Sequence, residues 1–134
     1  MKFITCVLAI VCLPVALVWA EVADGNALLP QCSAAVEILD SPKKNHPSDL
    51  YEEAFHCTDY VNGVADMGRI VEDMAEPPYS VGRPLFCLPA AGPISQVVRV
   101  VLKYLQDNPK ELHKDKGVLA VFALMKEFPC KEKK

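Results

Sequence analysis

His56 and Cys57 are neighbours in the chain, and an imidazole beside a thiol is the first pattern to test for nucleophilic chemistry. A cysteine nucleophile needs its base within hydrogen-bond reach, whereas successive residues on a helix point about 100° apart. The two do not make a catalytic pair. Asp59, Asp66, Glu72 and Asp73 bring four carboxylates into one stretch, the residue type used for general acid and base work. No histidine, nucleophile or glycine-rich phosphate loop joins them, so they read as the wet face of a helix. Metal binding finds no support in the spacing. Cys32, Cys57, Cys87 and Cys130 stand 25, 30 and 43 residues apart without a C-x-x-C pair, and His46, His56 and His113 are scattered. G-x-G-x-x-G and Walker patterns are missing as well. The residues point away from an enzyme, with no metal and no cofactor expected, and towards a small helical binding or structural module.

The cysteines have a structural use, and the N-terminus says why. Lys2 is followed by an uncharged run from Phe3 to Ala20 that closes on Val18-Trp19-Ala20, which predicts a secretory signal cut after Ala20. A retained membrane anchor is the alternative; the run is near the lower limit for a spanning helix and Pro14 lies inside it, so cleavage is the favoured reading. Residues 21–134 then form one domain, with the periplasm of a Gram-negative cell as its expected location and no membrane attachment left. Losing Lys2 moves the formal charge from −3 to −4. No basic patch of the nucleic-acid-binding kind is present, and Lys131–Lys134 reads as a solvated tail. A mildly acidic product suits a basic protein partner. Cys6 and Cys12 fall in the signal, and the remaining four cysteines, in an oxidising compartment, predict two disulfides.

The elements that must position those cysteines follow from periodicity. A first helix is predicted from about Ala27 to Leu39 with Leu28, Cys32, Ala35, Val36 and Leu39 inward, and Pro30 tolerated in its first turn. Asp40-Ser41-Pro42 stops it. A second runs from Asp49 to about Ala75, with Ala54, Cys57, Val61, Val64, Val71 and Met74 buried, Gly63 admitting a close backbone and Gly68 marking a bend. Glu76 to Pro84 holds three prolines and a glycine and reads as the main loop, either a binding loop or a mere connector. Ile94, Val97, Val98, Val101 and Leu105 recur at helical steps, with Arg99, Lys103 and Gln106 opposite; the β-branched valines keep a strand reading open, although strict alternation fails. Asn108-Pro109-Lys110-Glu111 has the pattern of a helix start, with Asn108 as cap. The last helix then carries Leu112, Val118, Val121, Phe122, Met125 and Phe128 inward until Pro129, and Gly117 weakens it enough that its first turns could separate as a short turn.

Register chooses the disulfide pairing. Cys32 lies nine residues before the Ser41-Pro42 break and Cys57 nine after Ser48, so two antiparallel helices bring them to one height. Cys87 precedes one helix and Cys130 follows its antiparallel partner. Cys32–Cys57 and Cys87–Cys130 are therefore predicted, each worth about 3 to 4 kcal/mol in the loop-entropy model. The fold class is all-α, a four-helix or four-to-five-helix bundle of two disulfide-tied hairpins.

The order Cys32, Cys57-x-x-Tyr60-x-x-Gly63, Phe86-Cys87-Leu88-Pro89, Val98 to Tyr104-Leu105, Asn108-Pro109 and Phe128-Pro129-Cys130 resembles the Rap/Tai immunity proteins of type VI secretion. The resemblance spans nearly all of residues 21–134. It implies a periplasmic helical protein that binds a cognate peptidoglycan amidase effector and occludes its active site, and that forms a homodimer. The matching positions are mainly structural, so the contact residues must be argued from this chain. Glu72, Asp73, Glu76, Tyr79 and Arg83, at the end of the second helix and in the loop after it, set tyrosine and arginine beside acids and are the candidate partner-binding residues. An orphan envelope protein, chaperone-like or with another protein partner, is the alternative.

Overall fold

Asp24 accepts hydrogen bonds from the backbone N–H groups of Asn26 and Ala27, and this cap opens the first of four helices. The computed structural model describes residues 23–79 and 81–130; the predicted signal segment 1–20, with its cut after Ala20, and the tail 131–134 lie outside the described residues. Within them the helices are α1 (Gly25–Asp40), α2 (Ser48–Met74), α3 (Ile94–Asp107) and α4 (Lys116–Glu127), with a short 3₁₀ turn at Pro109–Glu111. No named strand occurs among the described residues, and no helix there is long and apolar enough to cross a membrane. The architecture is all-α.

α1 and α2 form one hairpin, locked by Cys32–Cys57, and α3 and α4 form the other, closed by Cys87–Cys130. Both pairings agree with the register argument. The first bridge lies at the centre of the core, fully buried among Leu28, Val61, Val98, Val101, Leu105, Leu119 and Leu124. The second lies at the rim, where the Cys87 N–H donates to the Phe128 carbonyl at 2.9 Å. The two hairpins are stitched at one end. Gly25 donates to the Lys114 carbonyl, Asn26 to that of Leu112, and Lys116 to that of Ala23, so the start of α1 fixes the start of α4. A side chain at Gly25 would collide with Leu119 and the Leu112 backbone, which is why glycine stands there.

The valine-rich stretch is helix, not strand: Val97, Val98, Val101, Leu102 and Leu105 are buried, while Arg99 pairs outward with Asp40 and Lys103 with Asp107. Several expectations need correction. Asn108 does not cap the last helix. Its side-chain amide donates back to the Tyr104 carbonyl at 2.7 Å and ends α3; Pro109–Glu111 makes the separate short turn that the weak first turns predict, and Asp115 caps α4 through the N–H groups of Gly117 and Val118. α4 is also rotated from its predicted phase. Leu119, Ala120, Ala123 and Leu124 face the core, and Val118, Phe122 and Met125 are exposed, because the two alanines let α4 approach its neighbours more closely than a bulky face would. Leu39 is exposed, and Ala34 and Ala65 are buried in positions the pattern had not claimed. Gly68 does not interrupt α2, which is continuous from Ser48 to Met74, and its missing side chain makes room for the Phe86 ring. Gly63 admits no backbone, since nothing lies within 4 Å of where its Cβ would be.

Candidate partner-binding surface

α2 ends at Met74 because Glu76-Pro77-Pro78 follows, and proline cannot supply the N–H groups that a continuing helix needs. The chain folds back at once. The Val81 N–H donates to the Met74 carbonyl at 3.1 Å and the Tyr79 N–H to the Glu76 carbonyl at 3.3 Å. Gly82 takes a φ of 130°, a conformation that L side chains rarely adopt, so the reversal at this point depends on glycine. Glu72 and Asp73 occupy the last turn of α2, and Glu76, Tyr79 and Arg83 lie in the loop that follows, with Tyr79 66% exposed. The five predicted residues thus gather at one end of the molecule by chain continuity.

Beside them runs a groove of about 540 Å³ that the sequence reading did not anticipate, lined by none of the five. It arises because α2 and α4 touch only sparsely and the Phe86 side chain, packed against Gly68, forms a floor between them. Val64, Met67 and Val71 make the α2 wall, Val121 and Gly117 the α4 wall, and Leu85 the lip. Met67 is 59% and Leu85 60% exposed. Both large apolar side chains stand in water beside one concavity. The half-burial of Val64 and Val71, which were expected in the core, has the same origin. A smaller groove, about 210 Å³, lies on the other side of the α2 core stripe, between Leu39, Phe55 and Ile94.

Tyr60 closes one end of the larger groove. Lys116 places its ammonium 4.1 Å from the Tyr60 ring centre, a cation–π contact, and a Cβ at Gly117 would lie 2.9 Å from the hydroxyl. Burial pushes the Tyr60 pKa up, and the charge of Asp115 adds to it, so the hydroxyl stays protonated. Along α2 the electrostatics have one sign. Between Ser48 and Met74 stand seven carboxylates and one arginine, a net −6 in a chain whose total is −3. Asp59, Asp66 and Asp73 repeat every seven residues and so lie on one edge of the helix, next to Met67 and Ile70. Arg69 and Asn62 both contact Asp66, at 2.9 and 3.1 Å.

Cys57 is consumed in a buried disulfide and His56 points to solvent. No group of three or more metal-capable side chains occurs among the described residues. His46 is buried in the α1–α2 connector, where one ring nitrogen lies 3.0 Å from the Ser41 carbonyl oxygen. Met67, Ile70 and Leu85, together with the vacancy at Gly63, are what the sequence reading missed. Their signal was present: two large apolar residues among the acids of a wet helix face have no core to enter.

The chain matches the family model of the Rap1a immunity proteins over residues 24–130, from the cap of α1 to the last cysteine of the second disulfide. No curated protein and no solved structure matches it significantly. The match takes in all four helices, both disulfides and the groove, so the chain belongs to the Rap1a immunity protein family, which implies an immunity role exercised by binding a cognate effector protein.

Proposed function

We propose that residues 21–134 act in the periplasm after removal of the signal segment, where they bind a peptidoglycan amidase effector of type VI secretion and block its active-site cleft. Family membership across the whole bundle is the observation that carries this reading. Two features of the chain support it. Disulfides join both hairpins, which suits an oxidising compartment. The end of α2 and its loop present Glu72, Asp73, Glu76, Tyr79 and Arg83 together, an aromatic and a guanidinium flanked by acids, the mixture that anchors and steers protein complexes. Inhibition by occlusion needs no chemistry from this chain, only a surface that excludes substrate from the amidase. A homodimer belongs to the same reading, and sedimentation velocity tests it.

The test is protection. Cells expressing a periplasmic amidase effector should regain growth when the chain is co-expressed, and the Tyr79→Ala/Arg83→Ala variant, exported to the same level, should protect less. Full protection by the double variant removes these residues from the interface. No protection by the native chain against its cognate amidase overturns the reading.

A further inference from the structure

The groove between α2 and α4 is a site separate from the five residues of the loop end, and its own chemistry describes an occupant. Its floor and walls are apolar, from Val64, Met67, Val71, Phe86 and Val121. One edge is acidic, with Asp59, Asp66 and Asp73 spaced every seven residues; Asp59 reaches the groove lining itself, and Asp66 is already paired with Arg69 at 2.9 Å. From Asp59 to Val71 the α2 wall rises about 18 Å, three turns of helix, and the opposite wall is one turn of α4, at Gly117 and Val121, continued by Leu85 and Phe86 of the loop. A long helical wall beside an apolar floor receives another helix by its apolar face, the helix-in-groove mode of recognition. We propose that this groove seats an amphipathic helix of the effector, leucine-like side chains entering over Phe86 and lysines or arginines along the edge that meets Asp59, Asp66 and Asp73. The identity of the donor as the effector rests on the reading above; the shape and charge of the occupant do not.

Gly63 makes the proposal testable without damage to the fold. A Cβ there meets nothing within 4 Å, Gly63 itself lines the groove, and any residue other than proline improves on glycine within a helix. The probe is a synthetic amphipathic helix of leucine and lysine, about 18 residues long, and a counterpart in which glutamate replaces lysine. Each is titrated onto the native protein and onto Gly63→Trp, with the methyl resonance of Met67 as reporter in the groove and that of Met125, on the exposed face of α4, as control. The leucine–lysine peptide should shift Met67 and not Met125, bind about tenfold or more weakly to Gly63→Trp, and weaken as salt rises; the glutamate peptide should bind about tenfold or more weakly than the lysine one. Equal binding of the two peptides, or equal binding to both proteins, overturns the proposal. The effector itself supplies the second arm. If Gly63→Trp binds the amidase as the native chain does, the groove is not its seat. If the native chain takes the peptide in the groove yet ignores the amidase, the groove stands and the amidase reading falls.

Discussion

A methyl group added at Gly68 would run into the Phe86 ring, while the same methyl at Gly63 would meet open space. The two glycines share one helix, so their helix-propensity cost is alike, about 1 kcal/mol relative to alanine. Their substitutions should nevertheless differ in sign. Gly63→Ala is expected to stabilise by about 1 kcal/mol. Gly68→Ala gains the same propensity but must displace an aromatic ring that is 3% exposed, and overpacking of about 1 to 3 kcal/mol leaves a net loss near 1 kcal/mol. Urea midpoints of the two variants, compared at constant slope, check both. Neither role was legible in the sequence. Gly63 was read as a point of close approach and Gly68 as a bend, because what a glycine makes room for depends on a residue elsewhere, here Phe86, whose position no local pattern encodes.

At the scale of elements, periodicity and punctuation located the helices well but not their rotation. α1 and α3 each expose a charged edge, and the buried phase could be read from it. α4 has apolar residues at every position from Val118 to Met125, so spacing alone could not choose a face; the small Ala120 and Ala123 decided it by packing. Its start was also displaced, from Asn108 to Asp115, since an asparagine before a proline serves equally to end one helix. Asp115→Ala, which leaves the Gly117 and Val118 N–H groups without their acceptor, should cost about 1 kcal/mol by thermal or urea unfolding. Charged contacts at the element ends add a pH dependence. The Asn26 amide lowers the Asp24 pKa, Arg99 lowers that of Asp40, and Lys114 followed by Tyr104 lowers that of Glu111. These carboxyls bind protons more readily in the unfolded chain, so their contribution is complete above about pH 5 and lost as pH falls through the unfolded and then the depressed values. Unfolding midpoints should show no loss from these groups between pH 7 and 5, and a decline towards pH 3. The disulfides differ in access. Cys32 and Cys57 are fully buried, whereas Cys87 and Cys130 are half-exposed at the rim, so brief treatment with dithiothreitol followed by alkylation and mass mapping should label Cys87 and Cys130 first.

For the molecule as a whole, the all-α class, the two hairpins and both disulfide pairings were legible because they depend on period and register, which are local. The groove was not, because it depends on how far α2 and α4 stand apart. What results is a bundle with its negative charge concentrated on α2, beside an apolar concavity and a loop that presents tyrosine and arginine. Such surfaces suit protein contact, and membership of the immunity protein family implies a cognate effector protein as the partner. The most direct measurement is inhibition of the purified cognate amidase, followed as peptidoglycan cleavage while residues 21–134 are titrated in. The account predicts that cleavage ceases at one chain per amidase, and that Tyr79→Ala/Arg83→Ala shifts the curve to higher concentration. Cleavage that continues undiminished with the protein in large excess would contradict it.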